Sequence, residues 1–271
     1  MALHHLRPEI VQLASGRLNP YQALPEPYTA RILGEWEEVF DIAPEMPPSS
    51  IVVIDCTPPD GAAGPARVRE LLTAFPSISV VAAVPLLTAP PALVRELLDH
   101  GVSEFLDLDL DCTPALAIRR FREARGRPFT RRVDASLSRY VSTDARTLTR
   151  AAAQVAVAGG NAAELAEVFG VMPETVGSWC VDAGLPPPRT LQAWMRLLLA
   201  ATLLEERGRN VASIARHCGY SSDRSLRRAL NKFVGTDARS ARQGSTFEIV
   251  AAEFNKTLFA TREAGRERAV R

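Results

Sequence analysis

The side chains whose types and spacing point to chemistry lie between residues 224 and 232. Arg224, Arg228 and Asn231 recur at helical spacing, with Arg227 and Lys232 beside them. Leu226, Ala229, Leu230 and Phe233 form an apolar stripe on the opposite side, and Ser221 and Ser222 offer an N-cap. A helix of this kind is held to its domain by the stripe and turns its cations and amide outward. Arginine can grip O6 and N7 of guanine with two bonds, and asparagine can do the same for adenine. Lysine and arginine also neutralise phosphates. The competing reading is a solvated charged face. An internal repeat, described below, favours contact with double-stranded DNA.

Other chemistries find little footing. Cys56, Cys112, Cys180 and Cys218 form no CxxC pair, and His4, His5, His100 and His217 are not spaced with them as zinc ligands. No metal or cofactor is expected, and the thiols read as buried and reduced. A redox role for Cys56 or Cys112 is the alternative. There is no nucleophile–base pair, and Gly61-Ala62-Ala63-Gly64 is too short for a phosphate loop and lacks its lysine. The expectation is a binding protein, not an enzyme.

Charge divides the 271 residues. Residues 1–130 hold 11 Arg and Lys against 17 Asp and Glu, a balance of −6, whereas residues 131–271 hold 21 against 14, a balance of +7. Only the second half is suited to phosphate. No apolar run approaches the ~18 residues of a membrane span, and the first residues lack a signal peptide's apolar stretch, so a cytoplasmic protein is expected.

The elements that must position these residues fall into two sets. Residues 1–49, punctuated by prolines 8, 20, 25, 27, 44, 47 and 48, read as irregular apart from one helix, Tyr28 to Phe40. Strands are expected at Ile51–Asp55, Ile78–Val84 and Ser103–Leu108. They alternate with helices at Pro65–Phe75, Pro91–His100 and Pro114–Ala124, and Gly101 caps the second of these. Strands that are apolar throughout belong to a parallel sheet covered on both faces. The order of strand-Asp55, Pro58-Pro59-Asp60-Gly61, helix, strand, helix-Gly101 and strand over residues 50–125 resembles the later part of a response-regulator receiver domain. In that family the aspartate at the end of the third strand accepts a phosphoryl group, and Asp55 stands there. The acidic pair that would hold magnesium is missing. The fourth-strand Ser or Thr falls near Ala83 to Pro85, and the fifth-strand Lys near Leu108. The resemblance therefore implies a degenerate receiver in which Asp55 is structural.

The repeat lies in the second half. Leu165-Ala166 precedes Gly170, then Val176, Trp179, Cys180 and Ala183; Ile214-Ala215 precedes Gly219, then Leu226, Ala229 and Leu230. Each copy reads as a short helix, a glycine turn and a second helix. The first copy's second helix, Pro173–Ala183, has an acidic outer face: residues 161–184 contain four acids and no Lys or Arg. Thr175 and Ser178 are left to touch bases, or that unit is a structural mate. A helix from Pro188 to Arg207, stopped by Gly208, joins the copies. At about 28 Å it could hold two recognition helices one DNA turn apart.

This arrangement resembles the DNA-binding domain of the AraC/XylS family of bacterial regulators. The match runs over Ala145–Arg242, through Leu165-Ala166, Gly170, the connecting helix, Ile214-Ala215, Gly219-Tyr220-Ser221-Ser222, Leu226, Arg228, Leu230, Gly235 and Arg242. It implies a sequence-specific transcription regulator that contacts DNA through Ser222, Arg224, Arg227, Arg228, Asn231 and Lys232, with Thr175 and Ser178 as first-copy candidates. The family carries a basic residue where Ser178 and Asp182 stand here. RNA polymerase and a second copy in a homodimer are the implied protein partners, with a small-molecule effector of unknown identity. The map is 1–125 receiver-like α/β domain, 126–143 polar linker, 144–243 double helix-turn-helix, and 244–271 helical extension bearing Phe247, Val250, Ala251 and Phe254. The alternatives are a response regulator phosphorylated at Asp55 and a protein-interaction scaffold that retains the fold.

Overall fold

The computed structural model describes residues 9–13, 18, 24, 26, 28–56, 64–111, 113–235 and 246–269, the side chains of 266–269 aside. His4, His5, most of the early prolines, the Pro58–Gly61 motif, Cys112 and Arg242 lie outside these residues. The chain forms two compact units. The first comprises Met1–Pro128 with Glu206–Gly208, and the second Phe129–Glu205 with Arg209–Arg271.

The first unit is a doubly wound α/β fold. Strands β1 (Glu9–Leu13), β2 (Thr29–Leu33), β3 (Ile51–Asp55), β4 (Ser79–Val84) and β5 (Glu104–Asp107) form one parallel sheet in the order β2-β1-β3-β4-β5. That is the flavodoxin-like order. Successive side chains of β3 go to opposite faces. Val52 and Ile54 pack with Val39 of α1 (Trp36–Ile42), Val68 and Leu71 of α2 (Gly64–Ala74) and Leu97 of α3 (Pro91–Asp99). Ile51 and Val53 pack with Ala117, Phe121 and Ala124 of α4 (Pro114–Ala124).

The region read as irregular holds two strands. The expected helix Tyr28–Phe40 is β2 followed by α1. Four of the five β2 residues are exposed, Ile32 at 46%, so this edge strand has no apolar alternation to announce it. It is set by its ladder with β1, a non-local pairing. Helix α1 begins only at Trp36, where Glu35 and Glu38 form a reciprocal capping box.

Ligands of such folds bind at the carboxyl ends of the strands. Asp55 pairs in register with Ala83, and Val84 with Asp107. A second carboxylate, buried Asp107, thus ends β5. The Asp107 carboxylate accepts from the Asp109 N–H at 3.0 Å, and Asp111 accepts from the Asp107 N–H at 3.0 Å and from Arg120 Nε at 2.9 Å. Cys56 is buried, and burial followed by the charge of Asp55 pushes its thiol up to about 12, contrary to a redox role at neutral pH.

The second unit is helical: α5 (Arg127–Ser136), α6 (Thr143–Val157), α7 (Ala162–Phe169), α8 (Pro173–Asp182), α9 (Pro188–Glu205), α10 (Val211–His217), α11 (Asp223–Val234) and α12 (Thr246–Ala269). Helix α5 corrects the reading of 126–143 as a polar linker. Its Phe129 and Val133 are buried in the unit's core, and its polar groups are engaged. Asp134 receives Arg146 at 3.2 Å and Arg150 at 2.8 Å, which hold its carboxyl below the usual range. Arg132 pairs with Glu205 at 2.7 Å and lies 4.0 Å from the Phe247 ring centre. Helix α12 sends Phe247, Val250, Ala251 and Phe254 into the same core. Among the described residues no helix is long and apolar enough to cross a membrane, and no cluster of His, Cys, Asp and Glu could hold a metal ion.

If α5 is an integral helix, Phe129→Ala will destabilise the second unit by about 3–5 kcal/mol in urea unfolding followed through Trp179 and Trp194. A change below about 0.5 kcal/mol, typical of an exposed site, would restore the linker reading.

Candidate nucleic-acid interface

The two repeat copies share their backbone bonding. Asn161 caps α7 by accepting from the Ala163 N–H, and Asn210 caps α10 by accepting from the Ala212 N–H, both at 2.8 Å. Each first helix ends at a left-handed glycine, Gly170 at φ +64° and Gly219 at φ +75°. The Gly170 N–H donates to the Glu167 carbonyl and the Gly219 N–H to the Arg216 carbonyl, both at 3.1 Å; Val171 N–H reaches the Ala166 carbonyl at 3.1 Å and Tyr220 N–H the Ala215 carbonyl at 2.8 Å. Leu165, Ala166, Ile214 and Ala215 are buried beneath these turns. The asparagine caps were missed in the sequence, although they too lie 49 residues apart, like the Leu/Ile-Ala pairs and the glycines.

The second turn is one residue longer, so α8 and α11 match at a separation of 50: Pro173 with Asp223, and buried Val176 and Cys180 with buried Leu226 and Leu230. The outward positions then pair Glu174 with Arg224, Gly177 with Arg227, Ser178 with Arg228, Val181 with Asn231, and Asp182 with Lys232. Arg224, Arg227, Arg228, Asn231 and Lys232 are all exposed on α11. Ser222, also exposed, caps that helix by accepting from the Ser225 N–H at 3.2 Å, and Gly235 closes it at φ +69°. Arg227 meets Asp223 at 3.4 Å, a solvent-exposed pair that restrains it weakly. Among the described residues, Arg224 and Arg228 have no carboxylate within ion-pair distance.

The first copy offers less. Thr175 is half-buried, and the exposed Ser178 hydroxyl donates to the Glu174 carbonyl at 3.3 Å. Trp179, read as part of the apolar stripe, is 37% exposed and meets Phe169 edge-on at 5.6 Å. It closes the first turn rather than filling the core.

Arg196, on α9, belongs to both copies. Its Nη2 donates to the Gly160 carbonyl at 2.7 Å, beside the Asn161 cap, and its Cζ lies 3.2 Å from where a Cβ on Gly219 would stand. Gly219 is thus required for its φ and for the approach of a guanidinium, whereas a Cβ on Gly170 meets nothing within 4 Å. At the second turn His217 is buried and its pKa falls to about 4, through burial first and then repulsion by Arg209 and Arg216. At neutral pH its imidazole adds no charge beside α11.

A family model described as a helix-turn-helix domain matches residues 165–244, which span both turns and both second helices. Residues 165–244 are therefore similar to a helix-turn-helix domain, and the match supports a DNA-binding regulator. No curated protein matches it. Among solved structures, RcsB from Salmonella enterica serovar Typhimurium, bound to promoter rprA in the presence of phosphomimetic BeF3−, aligns with 69% of this chain and 98% of its own at 13% identity, with a TM-score of 0.30. So low a score carries no structural inference.

The two glycines should respond differently to alanine. Gly170→Ala should cost about 1–2 kcal/mol, the ordinary penalty of a left-handed alanine. Gly219→Ala should cost more, because Arg196 must also move. Thermal unfolding of the two variants checks the order, and equal losses would remove Arg196 from the account.

Proposed function

We propose that this protein is a sequence-specific transcription regulator of the AraC type that grips DNA mainly through α11. The observation that carries the reading is the outward face of α11. It presents four exposed cations and one amide on a helix capped by Ser222 and seated by Leu226 and Leu230. The matched face of α8 presents acids, small side chains and the exposed Val181. Two copies on one connecting helix support the AraC type.

Arg224 and Arg228 stand one turn apart opposite the buried stripe and are assigned to base edges, with Asn231 following them toward adenine. Arg227 adds a further contact from the helix flank. Lys232, near the helix end and 5.4 Å from the Phe233 ring centre, is assigned to phosphate, and Ser222 to the phosphate nearest the helix start. Thr175 and Ser178 are secondary positions. The acidic first unit is assigned to sensing or dimerisation, with an effector, a second copy and RNA polymerase as the partners this reading implies. The role is binding, without catalysis or a cofactor.

Titration against selected and random DNA at two salt concentrations tests the assignment. Arg224→Ala and Arg228→Ala should each cost about 1–3 kcal/mol on the selected site and relax its sequence preference. Lys232→Ala should weaken all sequences alike and lower the salt slope by about one. Undiminished binding by the arginine variants, with loss in Thr175→Ala or Ser178→Ala, would make the first copy the reader.

A further inference from the structure

A cavity of about 700 Å³ opens in the first helix-turn-helix copy, where the starts of α7, α8 and α9 converge. That volume is in the range of small-molecule sites. Its walls are mostly small and apolar, formed by Ala162, Ala163 and Ala193 with Pro173, Pro187 and Pro188. Arg189 and Arg196 also line it, and among the described residues no acidic side chain does.

Neither arginine is neutralised there. Arg189 is exposed and, among the described residues, has no carboxylate within ion-pair distance. Arg196 is half-buried, and its guanidinium bonds the Gly160 carbonyl at 2.7 Å. A carbonyl accepts a hydrogen bond but carries no counter-charge, and Arg196 Nε is buried without an acceptor. Partial burial of an unpaired cation is costly. The acids of the lining helices do not relieve it. Glu164 stands beside Gly160 but is committed to the cap of α7, where it accepts from the Asn161 N–H at 3.1 Å and from Asn161 Nδ2 at 3.0 Å. Glu205 pairs with Arg132, and Glu167, Glu174 and Asp182 are exposed and line no part of the cavity. Because α7 and α9 begin at the cavity, the positive ends of their dipoles add to the two cations.

We infer that this cavity binds a small organic anion, a carboxylate with a compact apolar body. Half-buried Arg196 supplies a fixed cation, and exposed Arg189, two turns earlier on the same face of α9, supplies a second. Either guanidinium can offer a carboxylate paired N–H groups, while the alanines and prolines take the apolar body. Arg196 also underlies Gly219 at the second turn, so an anion bound to it alters the support of α11. The ligand is thereby an effector, a role that rests on the reading of this protein as a DNA-binding regulator; its binding does not.

A ligand-observed NMR titration of the full chain with 2-naphthoate tests it, with 2-naphthamide as the uncharged counterpart. Naphthoate should bind at millimolar concentration or below, and the amide about tenfold more weakly or worse. Arg189→Gln should weaken naphthoate about fivefold and leave the amide unchanged. Gly177→Leu should abolish binding in a folded chain, because Gly177 lines the cavity and a Cβ there meets nothing within 4 Å, so leucine fills space the ligand needs. Saturating naphthoate should shift the affinity for a selected DNA site about fivefold or more in the parent and not in Gly177→Leu. No binding, equal binding of acid and amide, or indifference to both variants would overturn the site. So would a lowered DNA affinity and salt slope in Arg189→Gln, because the arginines would then seat a DNA phosphate. Naphthoate binding without a shift in DNA affinity would overturn the effector role. Naphthoate binding by a chain that holds no DNA would overturn the regulator reading and leave the site standing.

Discussion

The second unit depends on the burial of α9. Twelve of its eighteen side chains are buried, from Leu191 to Leu204. A helix that is apolar all round is stable only when surrounded, and α6, α7, α8, α10, α11 and α12 each pack against it. Each buried leucine contributes roughly 1.5–3 kcal/mol, so this helix supplies much of what orders its neighbours. Trp194 shows how position is passed on. Its ring lies 4.8 Å from that of Phe233 on α11 and 5.5 Å from that of Phe254 on α12. The outward face of α11 is therefore aimed by contacts on its inward side.

Because the inward side does the holding, the outward side is free to change. Val176 and Cys180 serve α8 as Leu226 and Leu230 serve α11, and the capping asparagines and turn glycines match as well. Nothing in that shared frame requires a particular charge on the surface. One copy carries Arg224, Arg228 and Lys232, and the other carries Glu174, Ser178 and Asp182 at the same places. Phosphate affinity follows the charge, not the fold. The shared scaffold accordingly hosts two surfaces of opposite electrostatic character, and Arg196 ties their turns together by bonding Gly160 and underlying Gly219.

What the sequence disclosed follows from where its signals are local. Strand β3 reads clearly because both its faces are covered, leaving an unbroken apolar run in Ile51–Ile54. The glycine turns at Gly170 and Gly219 read clearly because positive φ nearly demands glycine. The cationic face of α11 was legible because helical spacing separates it cleanly from Leu226 and Leu230. What was missed depends on distant partners. β2 exists through its pairing with β1, and its own residues are mostly exposed. Helix α5 has a linker's composition, yet Phe129 and Val133 find a core built from residues far along the chain. Trp179 has the spacing of a core residue, and only the position of Phe169 reveals that it lies at the margin.

The central claim is that one helix-turn-helix copy holds DNA while the other, on the same scaffold, does not. Hydroxyl-radical footprinting of the full chain on a site selected from random DNA measures this directly. The account predicts one strongly protected backbone segment of about half a helical turn, weakened in Arg228→Ala and unaffected by Ser178→Ala. Two equally protected segments about one turn apart, the second lost in Ser178→Ala, would contradict it.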